Sequence, residues 1–130
     1  MGNTSKRVRL SKLTLKRVES ENSFGRHIKH KRNGILNGQS YTLYPNGTLH
    51  SAGNYLEGEA EGLFMEWYES GEMKSVFNYS KGLGSVVDFW LEDGTQTAKN
   101  GTGYSVDIKG SADLYKTTWK DGLIVDCERI

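Results

Sequence analysis

Three histidines, His27, His30 and His50, and one cysteine, Cys127, are the side chains most suited to catalysis or metal binding. A metal site needs a further His, Cys or carboxylate at ligand spacing, and none of the histidines has one. His27 and His30 would meet on a helix; in a strand they point to opposite sides, inside a segment whose charge repels cations. His50 and Ser51 are strand neighbours facing apart, which removes an activated serine. Cys127 has no adjacent base and reads as a half-buried structural thiol. Gly82-Leu83-Gly84 and Gly101-Thr102-Gly103 have the look of phosphate loops, yet no Lys-Ser/Thr and no helix follows them. They read as hairpin corners. The sequence therefore predicts no catalytic residues, no metal and no cofactor.

Charge is the stronger signal. The net charge of +1 hides a split: residues 1–32 carry ten Lys/Arg against Glu19 and Glu21, and residues 33–130 carry seven Lys/Arg against fourteen Asp/Glu. Two such segments have opposite long-range fields, which bears on partners and encounter rates. Glu57, Glu59 and Glu61 crowd one connection, and Glu66, Glu69, Glu72, Glu92 and Asp93 lie near successive turns. With Tyr68 and Trp90, expected to be partly exposed near the tips, these acidic residues form the candidate surface for a basic protein. An acidic sheet edge that deters aggregation is the bland alternative. Arg7, Arg9, Arg17, Arg26, Lys29, Lys31 and Arg32 form a second, basic patch suited to anionic lipid. Phe24 is the one aromatic near it, so single-stranded nucleic acid is disfavoured.

These residues are positioned by a repeat. Gly34, Gly38, Tyr44, Gly47, Ser51 and Gly58 recur 24 places later as Gly58, Gly62, Tyr68, Gly71, Ser75 and Gly82. A fixed period means that each unit buries its face against its neighbours. Alternation within each unit and turn chemistry at Pro45-Asn46-Gly47 and Leu56-Glu57-Gly58 predict one β-hairpin per repeat. In the same frame Gly53 answers to Phe77, which suggests room for a ring. A third unit slips by one residue at Glu92-Asp93-Gly94, and a fourth runs from Tyr104 through Trp119 to Gly122. Residues 1–32 are expected to form a basic capping hairpin, with a strand over Val8–Val18, a turn at 19–23 and a return over 24–32. Residues 33–130 form the repeats, continuous with it in one domain. The fold expected is all-β, about nine or ten antiparallel strands in a meander, twisted into an elongated or half-rolled sheet. No apolar run approaches a membrane span, no secretory signal is visible, and Lys6 stands where a myristoylation motif needs Ser or Thr.

The pattern Gly-x3-Gly-x5-Tyr-x2-Gly, at Gly34-Gly38-Tyr44-Gly47 and Gly58-Gly62-Tyr68-Gly71, resembles the bacterial variant of the MORN repeat. Proteins of this kind are often labelled YwqK-like antitoxins. The resemblance runs from about Gly34 to Gly122, is good for two units, and weakens in the third, where Val86 replaces the second glycine. It implies β-hairpin repeats that contact protein or lipid and supplies no catalytic residues. Together with the acidic body, it leads to the expectation of a cytosolic antitoxin or immunity protein that binds a basic nuclease toxin. The alternative is a membrane-associated or scaffold protein that holds anionic lipid through residues 1–32.

Overall fold

A computed structural model describes residues 14–109 and 113–130. The expected residues Arg7 and Arg9, and most of the Val8–Val18 strand, lie outside the described residues. Twelve antiparallel strands make one sheet. They are β1 (Lys16–Asn22), β2 (Gly25–Arg32), β3 (Ile35–Leu36), β4 (Gly38–Leu43), β5 (Leu49–Leu56) and β6 (Glu59–Trp67). The rest are β7 (Met73–Ser80), β8 (Leu83–Trp90), β9 (Gln96–Lys99), β10 (Thr102–Lys109), β11 (Asp113–Lys120) and β12 (Leu123–Arg129). Each strand pairs with its neighbours in sequence, and β3 and β4 together pair with β2. The meander is therefore as expected, and of the two expected shapes the sheet takes the open one. The strand number exceeds nine or ten partly because Asn37 separates β3 from β4.

The first hairpin differs from expectation. Glu19, Ser20 and Glu21 belong to strand β1, and the turn is Ser23-Phe24. Asn22 fixes it, its Oδ1 accepting the Phe24 N–H at 2.8 Å. All seven β1 residues are exposed, so this edge strand has no buried face to write an alternation into the sequence.

The two ends of the sheet use different turns. At one end Asn33-Gly34, Glu57-Gly58, Lys81-Gly82, Asn100-Gly101 and Asp121-Gly122 all have positive φ at both positions. This is the type I′ signature that suits right-twisted hairpins. Each of the last four turns is tied to an earlier strand or turn. The N–H groups of Gly58, Gly82, Gly101 and Gly122 donate to the carbonyls of Leu36, Ala60, Val87 and Gly101 at 2.8–3.1 Å. Side chains take the N–H beside each glycine: Asn37 caps Glu57 at 2.9 Å, Glu61 caps Lys81 at 3.2 Å, Asp88 caps Asn100 at 3.3 Å and Thr102 caps Asp121 at 3.1 Å. A type I′ turn leaves these donors unused within its own hairpin, so the stack satisfies them between repeats.

At the opposite end are the loops of Pro45-Asn46-Gly47, Ser70-Gly71 and Asp93-Gly94. In each, the glycine N–H returns to the carbonyl of Tyr44, Tyr68 or Leu91 at 2.8–2.9 Å. Asn46, Ser70 and Asp93 accept the N–H two residues on, at 2.9, 3.3 and 2.8 Å. These side chains shape the loops as short polar residues do.

Cross-strand partners share a face. Thr42, Ser51, Glu66, Ser75, Phe89 and Ala98 follow one another on one side of β4–β9. Tyr41, Ala52, Met65, Val76 and Asp88 do so on the other. The closed core is small and sits toward the C-terminal half, in Val86, Phe89, Ala98 and Trp119, with Phe77, Leu91 and Val106 against it. The Trp119 Nε1–H donates to buried Ser105 Oγ at 3.0 Å. No helix among the described residues is long and apolar enough to cross a membrane.

Candidate protein-binding face

The residues expected to meet a partner fall into two groups at opposite ends of the sheet. Glu57, Glu59 and Glu61 stand at the type I′ end. Tyr68, Glu69, Trp90, Glu92 and Asp93 stand at the other, with Glu66 on the strand leading to it. Strand β6 separates Glu59 from Trp67 by eight steps, about 26 Å of extended chain. The nine residues therefore form two surfaces.

At the type I′ end, Glu57 and Glu59 are exposed, whereas Glu61 is half-buried and caps the Lys81 turn. At the other end the same sorting applies. Tyr68 is half-buried, and its hydroxyl donates to the Trp90 carbonyl at 2.6 Å, as Tyr44 does to Trp67 at 2.6 Å one repeat earlier. Trp90 is half-buried, and Asp93 shapes its loop. That hydrogen bonding to Thr95 holds the Asp93 carboxyl below the usual range. Glu69, Glu72 and Glu92 are exposed and form no ion pair among the described residues.

The acidic tips act as one field. Burial raises the Tyr44 phenol above its ordinary value, and Glu66, Glu69 and Glu92 raise it further. Burial, then Glu92, Glu66, Tyr44 and Asp93, raise that of Tyr68. Carboxylates from β6 and from two loops thus act on tyrosines of two successive repeats. Comparison with family models, with curated proteins and with solved structures gives no match. The surface must be interpreted from its own chemistry.

The basic hairpin is divided too. Arg17 and Arg26 share a face with Glu19, which pairs with them at 2.5 and 3.4 Å. Lys16, Lys29 and Lys31 lie on the opposite face, beside Val18, Ser20 and His27. Arg32 ends β2.

Of the candidate catalytic side chains, His30 and His50 are hydrogen-bonded, His27 is half-buried and Cys127 is exposed. The His50 Nδ1 meets Thr42 Oγ1 at 3.1 Å, and Thr42 Oγ1 also meets Ser51 Oγ at 2.5 Å. His27 and His30 stand on opposite faces of β2, as strand geometry requires. Cys127 is exposed on edge strand β12, which corrects the half-buried thiol expected; its Sγ lies 3.7 Å from Thr117 Oγ1. Among the described residues no group of three or more His, Cys, Asp or Glu gathers as metal ligands.

Sequence reasoning missed a cavity of about 310 Å3 on the face that carries Glu66, lined by Ser51, Tyr55, Ala60, Phe64, Glu66, Phe77 and Tyr79. Its rings touch in series: Tyr55–Phe64 at 5.6 Å, Phe64–Tyr79 at 4.9 Å and Phe77–Tyr79 at 6.4 Å between centroids. Glycines give the rings their seats. A Cβ on Gly53 would lie 2.4 Å from the Phe64 ring, and one on Gly84 would lie 2.7 Å from that of Tyr79. The ring over Gly53 is therefore that of Phe64, from the adjacent strand, and not that of Phe77. Tyr55 and Tyr79 are only half-buried.

Proposed function

We propose that this chain is a protein-binding β-repeat module that neutralises a toxin by direct binding. It acts in the cytoplasm as an antitoxin or immunity protein and occludes the active site of a basic nuclease. One observation carries the reading: exposed Glu69, Glu92 and Asp93 gather with Glu66 at one end of a hydrogen-bonded sheet. The field of such a cluster raises the encounter rate of a cationic partner and fixes its orientation. The toxin as partner comes from the resemblance to YwqK-like repeats. The test is co-expression with basic nuclease toxin domains, beginning with any encoded in a neighbouring reading frame. Growth is rescued by the natural chain and lost with Glu69→Lys/Glu92→Lys; rescue by both would overturn the proposal.

One observation favours a second reading, a membrane-associated or scaffold protein. Lys16, Lys29 and Lys31 share a hairpin face that holds no carboxylate, a geometry suited to anionic headgroups. Flotation with phosphatidylserine vesicles separates the two readings, being positive only under the second.

A further inference from the structure

The aromatic cavity holds a charge that the sheet leaves uncompensated. Glu66 forms part of its wall, and the only hydrogen bond among the described residues to its carboxylate comes from Ser75 Oγ, at 3.2 Å. No Lys or Arg among the described residues pairs with it. Four rings line the same cavity, and they meet one another at tilted or near-perpendicular angles: 88° for Tyr55–Phe64, 62° for Phe64–Tyr79 and 37° for Phe77–Tyr79. A ring face is the negative pole of its quadrupole, so several rings beside a carboxylate form a site complementary to a cation with an apolar stem. A neutral aliphatic group would gain the ring contact and lose the hydration of Glu66 without compensation. The volume, about 310 Å3, is at the low end for ligand pockets and suits one side chain.

We propose that this cavity binds one cationic group, an ammonium or guanidinium on a short alkyl stem, and that in the complex the group is an arginine or lysine side chain of the partner. The identity of the carrier rests on the protein-binding reading above; the preference of the cavity for a cation does not. Ser51 and Glu66 orient the charged head, and Tyr55, Phe64, Phe77 and Tyr79 enclose the stem. The position of the cavity fits this role, since Glu66 also contributes to the field at the acidic tips. One basic anchor there would set the register of a partner that the exposed Glu69 and Glu92 attract.

The experiment titrates the isotopically labelled full chain with N-acetyl-arginine methylamide and, separately, with its neutral norleucine analogue, following amide and aromatic resonances. The arginine probe shifts resonances of Ser51, Phe64, Glu66 and Tyr79, and binds about tenfold more tightly than the neutral one. Glu66→Gln, whose amide oxygen can still accept from Ser75, weakens the arginine probe about fivefold and leaves the neutral probe unchanged. Phe77→Leu keeps apolar volume and weakens the arginine probe more than the neutral one. Equal binding of the two probes, shifts confined elsewhere, an unchanged Glu66→Gln affinity, or no shift at about 10 mM probe would each overturn the proposal. None of these outcomes depends on the partner, so the tip variants above test the protein-binding reading separately.

Discussion

The Tyr68 hydroxyl reaches across to the next hairpin and donates to the Trp90 carbonyl at 2.6 Å, repeating what Tyr44 does to Trp67. A residue that looks like an exposed contact near a loop is thus a stitch between successive hairpins. Together with the bonds that the turns at the opposite end make to earlier strands and turns, it ties successive hairpins to one another.

Tyr68→Phe should cost about 1 kcal/mol of stability, the net worth of one hydrogen bond whose acceptor keeps some access to water. Tyr44→Phe should cost a similar amount. Glu69→Lys and Glu92→Lys, at exposed positions without partners, should stay within about 0.5 kcal/mol of the natural chain. Urea denaturation midpoints check all four, and the contrast separates residues that hold the tips from residues that present charge.

Alkaline pH should destabilise the protein in a definite window. The phenols of Tyr44, Tyr68 and Tyr79 are each raised above 10.0, by burial first and neighbouring carboxylates second. A group that ionises later in the folded state contributes stability that is complete below its unfolded pKa and is lost as pH rises through the folded one. Stability should therefore fall above about pH 10, and absorbance at the tyrosinate band should show a late-titrating class. Glu92→Gln removes the foremost charge acting on Tyr68 and should bring that phenol down.

The turn caps should matter more than the acidic residues beside them. Asn37 is 2 % exposed, and its Oδ1 accepts the Glu57 N–H, so Asn37→Ala should cost about 1–3 kcal/mol. Glu61→Ala should cost about 1 kcal/mol, in the manner of a lost cap, and exposed Glu59→Ala close to nothing. Thermal denaturation of the three variants provides the comparison.

Gly53→Ala places a methyl 2.4 Å from the Phe64 ring, which must then leave its seat. The cost should be about 1–3 kcal/mol, and adding Phe64→Leu should recover part of it. A double-mutant cycle that came out additive would contradict the packing described.

How much of this was legible from sequence follows from how local each feature is. The corners at Glu57-Gly58 and Lys81-Gly82 were readable because positive φ selects glycine within two residues. Strand β1 was misplaced because an exposed edge strand buries no alternate side chains and so writes no period of two. The 24-residue frame paired Gly53 with Phe77, since a period reports which positions are equivalent; the ring that touches Gly53 belongs to Phe64 on the neighbouring strand. The roles of Asn37 and Glu61 were hidden for a similar reason. A cap on a turn 20 residues away has no local signature, so Glu61 looked like one more surface acid. The aromatic cavity was not placed because its walls come from three strands, and the sequence does not say which of their faces stays half-covered.

The central claim is that the acidic tips capture a basic protein partner. Its most direct test is the association rate of the purified chain with the basic toxin domain proposed as its partner, measured by stopped flow across a range of salt concentrations. The account predicts a rate that falls steeply with salt and that drops by about tenfold or more at low salt with Glu69→Lys/Glu92→Lys, while the variant remains folded. A rate insensitive to salt and equal for the two proteins would contradict it.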